Sequence, residues 1–421
     1  MGGQAFSSGD IPLYTPRMPP DVYQYVLDQC CAKLRKLFVI VATPIPGPAK
    51  VDHGDIDILL TWERSSVYPS LLVERLLTSL SPTHVPLQAA ARLLNAEQYI
   101  KEQPRTINLA IPWPENLPQT ITNGKENHDD LGTRRYIQVD LCLCKSLEDL
   151  QWMLFKHAHG DIWSLLGSTV RPYGLTIDEV GLYMRIPEIE GLNRKQAKIL
   201  LSTNPTEVLA FLGLKYDDAQ WEEPFASTED LFEYVATCRL FWVRSEQHAE
   251  LTATDGNEID QAKLKSNDRR RMNHRPVFRN WIEEFLPTCR EAGRFTAQNA
   301  TRESVRGEAF EHFLGTRHAY EARLLEWRKE QQRQSLWRDV IKTSLPEMPG
   351  GTEEKINSKH WRGHVASAFK KIIMQDDYSL GICPPTPLRD ATGMYDEEKV
   401  RQFVIDSWRK VSDVVWKVNQ K

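Results

Sequence analysis

The stretch His53-Gly54-Asp55-Ile56-Asp57-Ile58-Leu59-Leu60 decides how this chain is read. Its isoleucines and leucines, followed by Thr61 and Trp62, have the length and character of a buried strand, expected over Ile56–Trp62. Residues two apart on a strand share a face and stand about 6.6 Å apart along it. Asp55 and Asp57 therefore project together, while Ile56 and Ile58 go to the opposite face and into a core. Two carboxylates side by side on an apolar strand repel each other unless positive charge sits between them. A pair of hard divalent cations resolves the repulsion, and Mg2+ (or Mn2+) prefers oxygen ligands of this kind.

Tyr136–Cys144 (YIQVDLCLC) repeats the logic with clean alternation. Ile137, Val139, Leu141 and Leu143 take one face; Gln138, Asp140, Cys142 and Cys144 take the other. If the two strands pair, three carboxylates converge. That is the requirement of a two-metal phosphoryl-transfer site, where ions about 3.5–4 Å apart clamp the attacking and leaving oxygens. Asp55 and Asp57 would bridge both ions and hold a triphosphate. Asp140 would ligate only the ion that activates the attacking hydroxyl, and would help accept its proton. A calcium loop is excluded by the spacing and the apolar flanks.

Around these strands the chain reads as a mixed α/β domain followed by a mainly helical region. Residues 1–20, rich in Gly, Ser and Pro, form a loose leader. A helix is expected from Pro20 to about Lys36, and strands at Leu37–Ala42 and Thr106–Ile111. The spacing between Pro69 and Lys101 is helical, and residues 115–132 are a polar surface loop. Helices follow at Ser146–His157, Ile162–Val170, Arg194–Leu201, Pro205–Leu212, Thr228–Ser245, Pro276–Phe285 and Ser304–Lys342. Gly174–Ile186 reads as a turn-bounded hairpin or strand. The division expected is leader 1–20, catalytic domain 21–160, a helical nucleotide- and acceptor-binding region 161–300, and a helical C-terminal region 301–421.

The whole chain sets outer bounds. It has 421 residues, a formal net charge of −4 and seven cysteines with no C-x-x-C pair. A wholly nucleic-acid-coating protein, a zinc ribbon and a disulfide framework are thereby excluded. No secretory signal or membrane-length apolar run is present, so a soluble cytoplasmic or nuclear protein with no membrane partner is expected. Lys263, Lys265, Arg269, Arg270, Arg271 and Arg275 form a local basic stretch suited to RNA phosphates. His157-Ala-His159-Gly-Asp161 reads as a helix end, since residues two apart on a helix do not share a face.

With these residues in view, the chain resembles the DNA polymerase β-type nucleotidyltransferase superfamily, and more narrowly nucleotidyltransferases of large phages and their cellular relatives. That family's motif is a helix-starting Gly-Gly or Gly-Ser, then a hydrophobic-flanked Asp-x-Asp, then a third carboxylate on a later strand. Gly47 lies eight residues before Asp55, Asp55-Ile56-Asp57 matches the pair, and Asp140 matches the third. The resemblance implies an α+β nucleotidyltransferase palm, a mixed β-sheet with flanking helices, with Gly47, Lys50 and Gly54 around the nucleotide. It implies transfer of a nucleoside monophosphate from ATP or another NTP to an acceptor hydroxyl, an RNA or tRNA end first, with release of pyrophosphate. One departure stands out: Pro48 occupies the position of the family's second Gly or Ser, and proline has no N–H to donate. The phosphate cradle is then either rebuilt with Lys50 or weakened. In the weakened case the chain is a degenerate palm that binds nucleotide or RNA as a scaffold or sensor.

Overall fold

The structure is a computed structural model describing residues 3–8, 12–48, 50–67, 86–115, 117, 134–217, 219–243, 266–346 and 352–419. The chain divides into two compact units: Met1–Arg185 with Ala197–Thr316, and Ile186–Gln196 with Arg317–Lys421. The class is α+β, a mixed five-stranded sheet followed by mainly helical structure, as expected.

In the first unit, α1 (Pro20–Leu34) begins with proline in its first turn, where a missing N–H costs nothing. It leads into β1 (Phe38–Ala42) and β2 (Asp55–Glu63). Helix α2 (Pro86–Leu93), β3 (Gln98–Gln103), β4 (Thr106–Pro112) and β5 (Tyr136–Leu143) complete the layer. The strand order is β1-β2-β5-β4-β3. All neighbours are antiparallel except β2 and β5, which run parallel. One face packs Ile56, Ile58, Leu60, Ile107, Leu109, Val139 and Leu141 into a single core with Val22, Val26 and Leu34 of α1 and Leu87 and Ala90 of α2. Burial of this apolar surface holds the layers together, at roughly 25 cal/mol per Å².

Several expectations need correction. The helical spacing does not extend to Lys101, because Gln98–Gln103 pairs with β4 as an edge strand. The Pro69–Leu80 part of that helix lies outside the described residues, as does most of the 115–132 loop. Arg194–Leu201 is not a helix: Lys198–Ser202 is β8, which joins β6 (Leu175–Ile177) and β7 (Leu182–Arg185) in a three-stranded sheet. The helix from Thr228 ends at Ala236, and the segment from Ser304 breaks after His312. Residues 160 and 300 both lie in the first unit. Trp163 packs on Phe155 with ring centroids 4.8 Å apart, so the segment after 160 shares the aromatic core of the helix before it.

Described residues of the leader pack on the sheet. Phe6 and Met18 are buried, Met18 and His53 exchange both backbone hydrogen bonds (2.7 and 2.9 Å), and the Tyr136 N–H donates to the Tyr14 carbonyl at 2.9 Å. Gly3 lies on the Gly54 carbonyl with φ +85°, so close that a Cβ there would fall 2.2 Å from the oxygen.

The second unit is built on the helices Thr352–Gln375 and Glu397–Asn419 with Leu336–Ile341. Its core holds Leu336, Val340, Val365, Phe369, Ile372, Val400, Phe403 and Val404. Among the described residues no helix is long and apolar enough to cross a membrane.

Candidate functional site

The parallel pairing of β2 with β5 places Asp57 directly beside Asp140 and Asp55 beside Gln138. Across the next strand, Asn108 pairs with Asp140 and Ala110 with Gln138. Partners in register share a face, so Asp55, Asp57 and Asp140 stand together, opposite the apolar core.

Both ends of this face are covered. At one end Phe6, Ala5 and Leu13 pack on Ala110 and Tyr136. At the other, helix α3 (Leu147–His157) brings Leu150 and Met153 onto Leu59, Cys142 and Cys144. Between the covers the carboxylates are accessible: Asp57 is exposed, Asp55 and Asp140 half-buried.

Protein nevertheless surrounds Asp57 closely enough to raise its carboxyl above the usual range; burial is the larger cause and Asp55 the next, while His157 and Lys50 oppose it. The Tyr23 phenol feels the same field, pushed up to about 12 by burial, then by Asp57 and Asp55. Its ring stacks on His53, centroids 3.7 Å apart. His53 is buried, and burial followed by Lys50 and Arg17 holds its imidazole down to about 4, neutral at neutral pH.

Gln138 donates from Nε2 to both Asp140 oxygens, at 2.9 and 3.0 Å. Tyr23, Gln138 and His157 are site neighbours that sequence reasoning did not select. Gln138 alone carried a signal, a polar residue two before Asp140 on the same strand face.

The loop before β2 carries the expected nucleotide-binding residues. Gly47 lies against Gly160, which has φ +63°, and the His159 N–H donates to the Ile45 carbonyl at 2.8 Å. Lys50 is exposed, and Gly54 backs onto Gly3. No helix starts after Gly47 among the described residues of this loop.

Helix α3 ends at His157, as the sequence reading held. His159 itself is fully buried between Trp221 and Phe225, with centroids 5.1 and 4.7 Å away. Of the basic stretch, Lys263 and Lys265 lie outside the described residues. Arg269, Arg270 and Arg271 are on the helix Ser266–His274; the first two are exposed, and Arg271 lies over the Phe278 ring at 5.8 Å. Arg275 is paired with Asp161.

The donor set at the carboxylates is hard oxygen, which suits Mg2+ or Mn2+ and not a soft metal. Among the described residues no three His, Cys, Asp or Glu side chains form an ion-holding group by themselves.

No family model and no curated protein matches the chain. Among solved structures it is similar to Leishmania infantum polymerase beta in a ternary P/T complex, with 15% identity over 50% of this chain and 77% of that one, at a TM-score of 0.31. The same polymerase in a ternary gap complex gives 15% identity over 49% and 71%, also at 0.31. So low an overlap carries no weight for the chemistry.

Proposed function

We propose that the chain is a metal-dependent nucleotidyltransferase that moves a nucleoside monophosphate from an NTP to an acceptor hydroxyl, an RNA or tRNA end first, releasing pyrophosphate. The observation that carries this reading is the in-register parallel pairing that sets Asp57 beside Asp140, with Asp55 on the same face.

Asp55 and Asp57 would hold the two Mg2+ ions, and Asp140 the one nearer the acceptor. Bound there, such ions supply a clamp on the attacking and leaving oxygens. Asp140 would take the proton of the acceptor hydroxyl, and exposed Lys50 would offer its charge to the triphosphate. Arg269 and Arg270, with Lys263 and Lys265, would meet acceptor phosphates.

Pro48, which has no N–H to offer a phosphate, favours a second reading: nucleotide or RNA binding without transfer. Incubation with each labelled NTP, Mg2+ and total RNA separates the two. Transfer by the wild type that is lost in Asp57→Ala and Asp140→Ala supports the enzyme. Melting raised by Mg2+ and NTP without transfer supports the second reading. Transfer surviving both substitutions overturns the first.

A further inference from the structure

We infer that the N-terminal leader is a working part of the site: through Gln138 it fixes the Asp140 carboxylate. The inference rests on the metal-binding reading above and adds two positioning elements to it.

The Ala5 backbone N–H donates to Gln138 Oε1 at 2.9 Å, and Gln138 Nε2 donates to both oxygens of Asp140. Chemistry alone fixes this amide orientation. A backbone N–H can only donate and an ionised carboxylate only accept, so the oxygen must face the leader and the NH2 must face Asp140. Gln138 also pairs in register with Asp55, so it lies beside Asp55 across the strand pair and two residues from Asp140 along its own strand.

The leader touches both acidic strands just before their carboxylates. Gly3 lies on Gly54, one residue before Asp55. Tyr14 receives the Tyr136 N–H, at the start of the strand that reaches Asp140. Two internal bonds brace it, Thr15 Oγ1 to the Gly3 carbonyl at 2.7 Å and the Leu13 N–H to the Phe6 carbonyl at 3.0 Å. A carboxylate oriented in this way presents a fixed oxygen to an ion, and loss of such outer partners lowers metal affinity about 10–100-fold. Linkage makes the effect reciprocal: ions at the carboxylates hold the leader down.

The test uses the full chain and Mn2+ titration by calorimetry on wild type, Gln138→Met and Ala5→Pro. Gln138→Met removes all three bonds of the Gln138 amide, and Ala5→Pro removes only the leader's donor. Affinity is expected to fall about tenfold or more in the first and in the same direction in the second. Hydrogen exchange of residues 3–8, read without metal, is expected to quicken in both variants; Mg2+ is expected to slow it in the wild type. Gln138→Glu, isosteric, still accepts from Ala5, so its leader exchange should match the wild type and confirm folding. Wild-type binding with unchanged affinity in Gln138→Met and Ala5→Pro overturns the inference and leaves the metal reading standing. A wild type that takes up no Mn2+ overturns both.

Discussion

The two faces of the five-stranded sheet are made by the same strands and obey opposite rules. On one, Ile56, Ile58, Val139 and Leu141 are buried to 1% exposure or less and belong to one apolar core. On the other, one residue out of phase, Asp55, Asp57 and Asp140 share the surface with Gln138, which donates to both Asp140 oxygens. The lesson is that a period of two lets one strand carry a folding instruction and a chemical one without compromise. A substitution on either face should disturb one property and spare the other.

The largest expected effect breaks the comparison if it fails. Asp57→Ala should lower transfer about 10³-fold, since such ions supply several kcal/mol to the transition state and each 1.36 kcal/mol is tenfold in rate. Without metal the same variant should melt no lower than wild type, because a repulsion has been removed. Should it melt markedly lower, the face is structural after all. The mirror experiment is Ile58→Ala. It should cost about 2–5 kcal/mol in a denaturant titration, with transfer per folded molecule unchanged.

His159 sharpens the comparison, because its residue type invites a chemical reading while its place is structural. Burial holds its imidazole down to about 4. Below the ordinary histidine value near 6.5, the unfolded chain takes a proton that the folded chain refuses. Stability is therefore fully present above that value and is lost as pH falls toward 4, by roughly 3 kcal/mol in all. His159→Phe should flatten this part of the melting-versus-pH curve. The smallest effect is expected at Lys50: Lys50→Ala should raise the KM for NTP about five- to tenfold at low salt, less at high salt, with kcat nearly unchanged.

The acidic strands and their apolar reverse were legible because period-two alternation is a local signal. So was Asp140 as the third carboxylate, which needed only the assumption that its strand pairs with β2. What escaped depended on distant contacts. Gln98–Gln103, with Lys101 and Glu102 in it, is an edge strand whose polar side chains follow no apolar alternation, and it adjoins the Leu93-Leu94 helix spacing. Lys198–Ser202 carries Ile199, Leu200 and Leu201 in a run that fits helix or strand equally, and its pairing with β7 decided. The leader's Gly, Ser and Pro content suggested a loose segment, yet a Cβ at Gly3 would collide with the Gly54 carbonyl. Tyr23 and His157 approach the site from other elements, which no spacing along the chain encodes.

The strand order has a consequence for biosynthesis. Of the five strands, β5 is the last to leave the ribosome and yet lies in the middle of the sheet, bonded on one side to β2 and on the other to β4. A nascent chain that has produced only β1 to β4 holds two half-sheets with an open seam between them. Closing the seam is a long-range event, slow by nature, and the same event completes the acidic cluster. On the proposed metal reading, the site should thus be completed late in translation, when Asp140 joins Asp55 and Asp57 on one face.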